Sequence, residues 1–197
     1  MKLSHKIILL FLCVCICVLL FQYGREKGYI EGSLARNQTV FIHKTESQTK
    51  EKDTYSGEYT VSRVVDGDTI DIENSQGTIR VRLIGVNTPE SVAPNRPDEC
   101  YGKEASEYVA RAILRSTVTL ELDTDKPLQD KYGRLLAYVR KSDGTLLNKE
   151  IIEKGYGYEY TYQGEKYIYS QEFKKAESFA RENALGLWSE GTCNGKK

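Results

Sequence analysis

The chain opens on an unbroken apolar run, Ile7 to Phe21, 15 residues long and preceded by Lys2 and Lys6. That is long for the core of an export signal and short for a bilayer span of ~20 residues. No small-x-small cleavage site follows. Gln22-Tyr23-Gly24-Arg25 comes instead, and Tyr23 suits a membrane interface. Residues 1–23 are read as an uncleaved membrane anchor in preference to a cleaved signal. A buried core helix is a third reading, disfavoured by the flanking lysines. Residues 24–56 are polar and show neither a helical nor a strand period, which predicts a flexible linker.

A strand-like period begins near Tyr59. Tyr59–Val65 is rich in β-branched residues, and Asp66-Gly67 marks a tight turn. Asp68–Glu73 alternates, with Ile70 and Ile72 on the face of Asp68. Asn74–Gly77 forms a second turn. In Thr78–Gly85 the side chains of Ile79, Val81 and Leu83 share one face, and Arg80, Arg82 and Ile84 the other. Three short strands joined by tight turns make a β-meander. The period then becomes helical over Lys103–Arg115, with Ala105, Tyr108, Val109, Ala112 and Ile113 as the apolar stripe. Thr117–Leu122 and Leu135–Arg140 read as strands, and Leu146–Lys154 as a short helix stopped by Gly155. A last helix, capped by Ser170, runs to about Asn183, with Phe173, Ala176 and Ala180 on its buried face. Gly186 turns the chain so that Trp188 packs back. Five short strands with interspersed helices predict an α+β domain built on a small closed barrel, of which the five-stranded OB-fold is the leading type.

Charge and residue counts narrow the chemistry. Lys+Arg and Asp+Glu both total 28, and from Glu58 onward 20 basic residues face 23 acidic ones. No general basic field draws in a polyanion, so such binding must rest on local cations or a bound metal. His5 and His43 both precede the folded part. Histidine is thereby excluded as base or metal ligand in the domain, leaving carboxylates, arginines, tyrosines and hard cations. Cys13, Cys15 and Cys17 lie in the apolar run, and only Cys100 and Cys193 belong to the domain. Two cysteines make no structural zinc site alone. In an exported domain they read as one disulfide, and otherwise as two unpaired thiols.

Four segments could carry chemistry. Asp68, just past the first turn, offers a hard anionic oxygen to calcium or magnesium, or else the segment is only a hairpin. The strand ending at Gly85 delivers Arg82 to one face, and the following loop presents Asn87, Thr88 and Glu90 around the rigid Pro89. Hairpin pairing lets this loop and Asp68 converge on one metal, with Glu90 placed to orient or deprotonate a water. Asp130-Lys131-Tyr132-Gly133-Arg134 could be a charged hairpin, or could present a guanidinium fork to a phosphate. Tyr156, Tyr158, Tyr160 and Tyr162 recur at period two. In one extended strand all four would share a face, either as half-buried aromatics or as a surface on which bases stack.

The order of these pieces is more specific than any one of them. Asp-Gly-Asp-Thr at 66–69 is followed by Arg82-x5-Thr88-Pro89-Glu90, then Tyr101-Gly102-x-Glu104-Ala105. Asp130-Lys131-Tyr132-Gly133-Arg134 and Leu187-Trp188-Ser189 complete the series. Residues ~57 to ~190 thus resemble the thermonuclease (staphylococcal nuclease) family. The resemblance implies an OB-fold barrel with three helices over 57–190, followed by a tail at 191–197. It also implies calcium-dependent cleavage of DNA and RNA that leaves 3′-phosphates. Arg82, Glu90 and Arg134 fall on the family's catalytic residues. Asp68 falls on its first calcium carboxylate, and Thr88 on the residue that lends a backbone carbonyl. Tyr132 falls where the family has a tyrosine near the substrate phosphate, and Lys131 beside it is a further substrate-binding candidate. Tyr160 and Tyr162 fall, with a one-residue gap, on its nucleotide-contacting pair.

One position departs from the pattern. The family's second calcium carboxylate is Asn87 here, which keeps a carbonyl oxygen but brings no charge, so weaker Ca2+ binding is expected. An extracytoplasmic monomer acting on DNA and RNA, and held to a membrane by its N-terminal segment or secreted, is the resulting expectation. The alternative is a catalytically weak or inactive OB-fold nucleic-acid-binding module.

Overall fold

The computed structural model describes residues 55–91 and 97–196; the apolar run, the linker and their predicted roles lie outside these residues. Among the described residues no helix is long and apolar enough to cross a membrane.

The meander folds as the alternation predicts. β1 (Glu58–Asp66), β2 (Thr69–Asn74) and β3 (Gly77–Leu83) pair antiparallel in sequence order. β4 is a two-residue strand (Val86–Asn87), and α1 (Gly102–Ile113) follows. β5 (Thr117–Glu121) and β6 (Leu135–Lys141) close the sheet into a barrel of order β1-β2-β3-β6-β5. The β3–β6 contact is parallel, with Val81 opposite Leu135 and Arg82 opposite Leu136, whereas the other four pairings are antiparallel. Register shifts in β1 between Val61 and Arg63 and between Val64 and Asp66 are β-bulges, which bend and twist the strand beside the first turn. α2 (Leu147–Glu153) and α3 (Ser170–Glu182) pack together, and β7 (Tyr158–Glu159) pairs with β4 in a separate two-stranded sheet.

The barrel is filled by the inward positions of its strands. Val61, Ile70, Ile72, Val81, Leu83, Val118, Leu135, Ala137 and Val139 are buried. α1 covers one side with Ala105, Val109 and Ile113, while α2 and α3 contribute Leu147, Ile151, Ile152, Phe173 and Ala176. A buried polar tie crosses this core. Asn148 Oδ1 accepts the Val139 N–H at 2.9 Å, and its Nδ2 donates to the Ile84 carbonyl at 2.9 Å. Asn148 thereby seats α2 on the β3 exit that leads to β4.

Two sequence expectations are corrected. The four tyrosines do not share a strand. β7 holds only Tyr158 and Glu159, and Tyr162–Gly164 is a 3-10 turn with Gln163 at φ 49°. Tyr156 stacks on Tyr108 at 4.1 Å, and Tyr158 meets Trp188 edge-on at 5.2 Å. Only Tyr160 and Tyr162 remain on the surface. A four-residue alternation is too short to outweigh packing against α1 and the C-terminal turn. The second correction concerns α3, whose cap position is Tyr169 without a side-chain hydrogen bond, Ser170 being its first residue. The expected C-terminal turn is present as Gly186–Trp188, and the Trp188 ring lies 4.2 Å from the Arg181 guanidinium.

Candidate active site

Asp68 sits inside the β1–β2 turn, paired strand residues Asp66 and Thr69 flanking Gly67-Asp68, and not beyond it as the sequence reading had it. Its side chain is buried. Oδ2 accepts the Thr88 N–H at 3.1 Å and meets Arg82 Nη2 at 3.0 Å, while Oδ1 accepts the Thr69 hydroxyl at 3.0 Å. The turn is therefore stitched to β3 and to the residue after β4. Gly67 permits this approach, because a Cβ there would stand 2.8 Å from the Thr88 side chain.

Arg82 pairs with Thr69 across the β2–β3 ladder, and its side chain is 13% exposed. Nη1 donates to the Leu83 carbonyl at 2.6 Å. Burial lowers its pKa from the ordinary value, Asp68 opposes that and the Arg134 charge adds to it. Two cations thus face one patch. Arg134 reaches that patch because β6 runs parallel to β3 and begins beside Val81. Asp130 grips it, accepting from Nε at 2.7 Å and facing Nη2 at 2.7 Å, and Nη1 leans toward Thr69 Oγ1 at 3.4 Å. At Asp130 burial pushes the pKa upward. The bonds from Arg134 and from the Tyr132 N–H outweigh it, and the carboxyl sits below its ordinary value. Arg82 engages two of its five N–H groups in these contacts and Arg134 three. Both forks keep donors for an anion.

Glu90 hydrogen-bonds to the Asp66 carboxyl. Asp66 Oδ1 accepts from the Gly67 N–H at 2.8 Å, the Ser91 hydroxyl at 3.0 Å and the Ser106 hydroxyl at 3.1 Å. Burial first, then Asp68 and a hydrogen bond with Glu90, push the Asp66 carboxyl up to about 6 against the Gly67 hydrogen bond. The folded state therefore holds this proton to higher pH than the unfolded chain, whose ordinary value is 3.8. Its contribution favours folding in acid and is lost as pH rises through about 6. Asp66→Asn is expected to gain stability relative to the wild type from pH 4 to 6, by up to about 3 kcal/mol. Urea unfolding at stepped pH in chelator checks this, and parallel curves for the two proteins would refute it.

The expected substrate tyrosines frame the arginine patch. Tyr132 is 71% exposed, with Lys131 Nζ 5.0 Å and the Arg134 guanidinium 5.4 Å from its ring. Tyr160 and Tyr162 are exposed and 6.2 Å apart, and Tyr160 is tied to β3's exit by its N–H on the Gly85 carbonyl at 3.0 Å. Tyr160 acts electrostatically on Arg82, and Tyr162 on Lys131. Lys131 and three exposed rings therefore accompany the two arginines.

The donor set for a cation is narrower than three acidic groups. Among the described residues no three His, Cys, Asp or Glu side chains gather to hold a metal. Asp68, Asn87 and Thr88 supply only oxygen donors, and Asp68 alone is a carboxylate. Asp68 Oδ1 accepts one hydrogen bond and keeps a lone pair, and the buried Thr88 Oγ1 has no hydrogen-bond partner among the described residues. An all-oxygen set with one negative charge fits a hard cation held weakly. β4 carries Asn87 half-buried opposite Tyr158.

Sequence reading named the arginines and Glu90 but missed what positions them. Thr69 links Asp68 to Arg134, Asp130 aims Arg134, and Asp66 with Ser91 and Ser106 ties β1, the Glu90 segment and α1 together. The four-residue spacing from Asp130 to Arg134 was the one visible signal. The serines gave none, since a hydroxyl in a helix or a loop is ordinarily solvated.

Comparison with known proteins now bears on this site. Residues 80–190 match the family described as Staphylococcal nuclease homologue. The chain is 36% identical over 180 residues to a thermonuclease of Staphylococcus intermedius, covering 91% of this chain and 94% of that protein. It is 37% identical over 131 residues to a thermonuclease of Staphylococcus hyicus, covering 66% and 75%. It is also 37% identical over 134 residues to an SPbeta prophage-derived endonuclease of Bacillus subtilis (strain 168), covering 66% of this chain and 43% of that protein.

Proposed function

The chain belongs to the staphylococcal nuclease family, and on that premise we propose that it is a calcium-dependent nuclease that hydrolyses phosphodiester bonds of DNA and RNA and leaves 3′-phosphates. The observation that supports this reading best is the convergence of the Arg82 and Arg134 guanidiniums on the Asp68–Thr69 turn, with Glu90 next to Asp66.

Arg82 and Arg134 would hold the scissile phosphate and stabilise the charge that grows on its equatorial oxygens. Their forks are aimed in advance by the Leu83 carbonyl, Asp68 and Asp130, so little reorganisation accompanies the reaction. Glu90 would orient a water or take its proton. Tyr132, Tyr160, Tyr162 and Lys131 would receive the flanking nucleotides by stacking and charge. Calcium, when bound by Asp68, Asn87 and the Thr88 carbonyl, supplies positive charge at the phosphate. A domain of 57–190 without a basic field would bind nucleic acid weakly at high salt. A monomer acting outside the cytoplasm, anchored or released by residues 1–23, completes the reading. The Cys100–Cys193 disulfide supports that compartment.

The test is cleavage of a labelled single-stranded DNA by the full chain with calcium and then with excess chelator. Cutting should require calcium, and Asn87→Asp should tighten calcium binding roughly tenfold by adding a carboxylate. Cutting undiminished by chelator, or calcium affinity unchanged in Asn87→Asp, would refute the corresponding claim. Binding without cutting under any divalent ion would favour an inactive binding module instead, with Asn87 as its cause.

A further inference from the structure

Glu90 is held by its backbone as well as its side chain, and the residue that holds it is Glu99. The Glu90 N–H donates to Glu99 Oε2 at 3.0 Å, and the Glu99 N–H donates to the Glu90 carbonyl at 2.8 Å. The Glu99 carbonyl in turn accepts the N–H of Gly102, the first residue of α1, at 3.0 Å. A Cβ on Gly102 would stand 2.6 Å from the Glu90 carbonyl oxygen. Residues 99–102 therefore form a seat against which the Glu90 backbone lies, gripped at both its N–H and its C=O.

This seat is itself anchored. Cys100, between Glu99 and Tyr101, forms a disulfide with Cys193, with Cα atoms 5.9 Å apart. Cys193 is buried, in the turns that follow Gly186–Trp188. Gly195, two residues on, donates its N–H to the Leu187 carbonyl at 2.8 Å, and a Cβ there would stand 2.6 Å from the Trp188 ring. Leu187 is fully buried. The covalent link thus runs from the core at Leu187, through Cys193 and Cys100, to the residue that clamps Glu90.

We propose that Glu99 is a positioning residue for Glu90 and that the Cys100–Cys193 disulfide works with it, fixing the clamp to the C-terminal core. The inference rests on Glu90 acting at the phosphate, as proposed above. Glu99 touches no reacting atom in this scheme. It acts by holding one φ/ψ setting at Glu90, and a small displacement of a base costs rate without costing substrate affinity.

The test uses the full chain as wild type, Glu99→Ala and Glu99→Gln, with two readouts. In steady-state cleavage of single-stranded DNA with calcium, Glu99→Ala should lower kcat about tenfold with KM unchanged. Glu99→Gln should restore the rate, because the amide oxygen still accepts the Glu90 N–H. Cys193→Ser should also lower kcat at a temperature where it stays folded, and should lower it no further in the Glu99→Ala background. Wild-type kcat in Glu99→Ala, a rate in Glu99→Gln as low as in Glu99→Ala, or fully additive losses with Cys193→Ser would overturn the proposal. The second readout is amide hydrogen exchange at Glu90, which should be protected in the wild type and Glu99→Gln and exposed in Glu99→Ala. Unchanged exchange in Glu99→Ala refutes the clamp, whether or not the wild type cuts DNA. A wild type that fails to cut refutes the nuclease reading and leaves the exchange result to decide the clamp.

Discussion

Arg82→Ala is expected to lower kcat about a thousandfold, the upper range for removing one preorganised donor from a developing oxyanion. The same change removes the cation that faces Asp68 at 3.0 Å in a nearly buried pair. Breaking such a pair costs about 3 to 5 kcal/mol, because the remaining charge is left without its partner. Here the Thr88 N–H and Thr69 hydroxyl still serve Asp68, so the lower end is expected. Rate and stability are separated by Arg82→Lys. A lysine keeps the charge beside Asp68 but has no planar fork to divide between the Leu83 carbonyl, Asp68 and a phosphate. It should recover most of the stability and little of the rate. Kinetics on protein shown by urea titration to be folded, for both variants, decide the matter. A lysine variant that cuts at the wild-type rate would mean that Arg82 contributes charge alone.

The second large effect is on the fold. The Cys100–Cys193 bond closes a loop with a separation of 93 residues. By the chain-entropy account that constraint contributes about 4 to 5 kcal/mol. For a domain of this size the loss corresponds to roughly 15 °C in Tm. The double substitution Cys100→Ser/Cys193→Ser should show this in urea and thermal unfolding. A difference below about 1 kcal/mol would mean that the unfolded chain is already compact between these residues.

The parts of the fold legible in the sequence share a physical cause. β1 to β3 were readable because Asp66-Gly67 and Asn74–Gly77 punctuate a clean alternation, and α1 and α3 because three or more apolar residues recur at helical spacing. β4 and β7, each two residues long, carry no period to detect. They exist because the β3 exit and the Gly157 approach lie side by side: a Cβ at Gly157 would meet the Thr88 side chain at 3.1 Å. The site divides in the same way. The residues proposed to act on metal and phosphate are few and chemically distinctive, so Asp68, Arg82, Glu90 and Arg134 stood out in sequence order. Those that aim them, Thr69, Ser106, Glu99 and Asp130, are common surface types whose partners lie 9 to 65 positions away or in the next turn. The barrel's closure brings the distant pair Thr69–Arg134 together.

That closure has a consequence in time. The parallel β3–β6 contact joins Val81 to Leu135, across α1 and β5, and such non-local pairing is the slow step of small β-barrels. Arg82 and Arg134 stand on the two sides of this seam. A chain still emerging from the ribosome carries every candidate side chain but has them scattered. A site built from Arg82 and Arg134 therefore assembles late and all at once, when the barrel shuts.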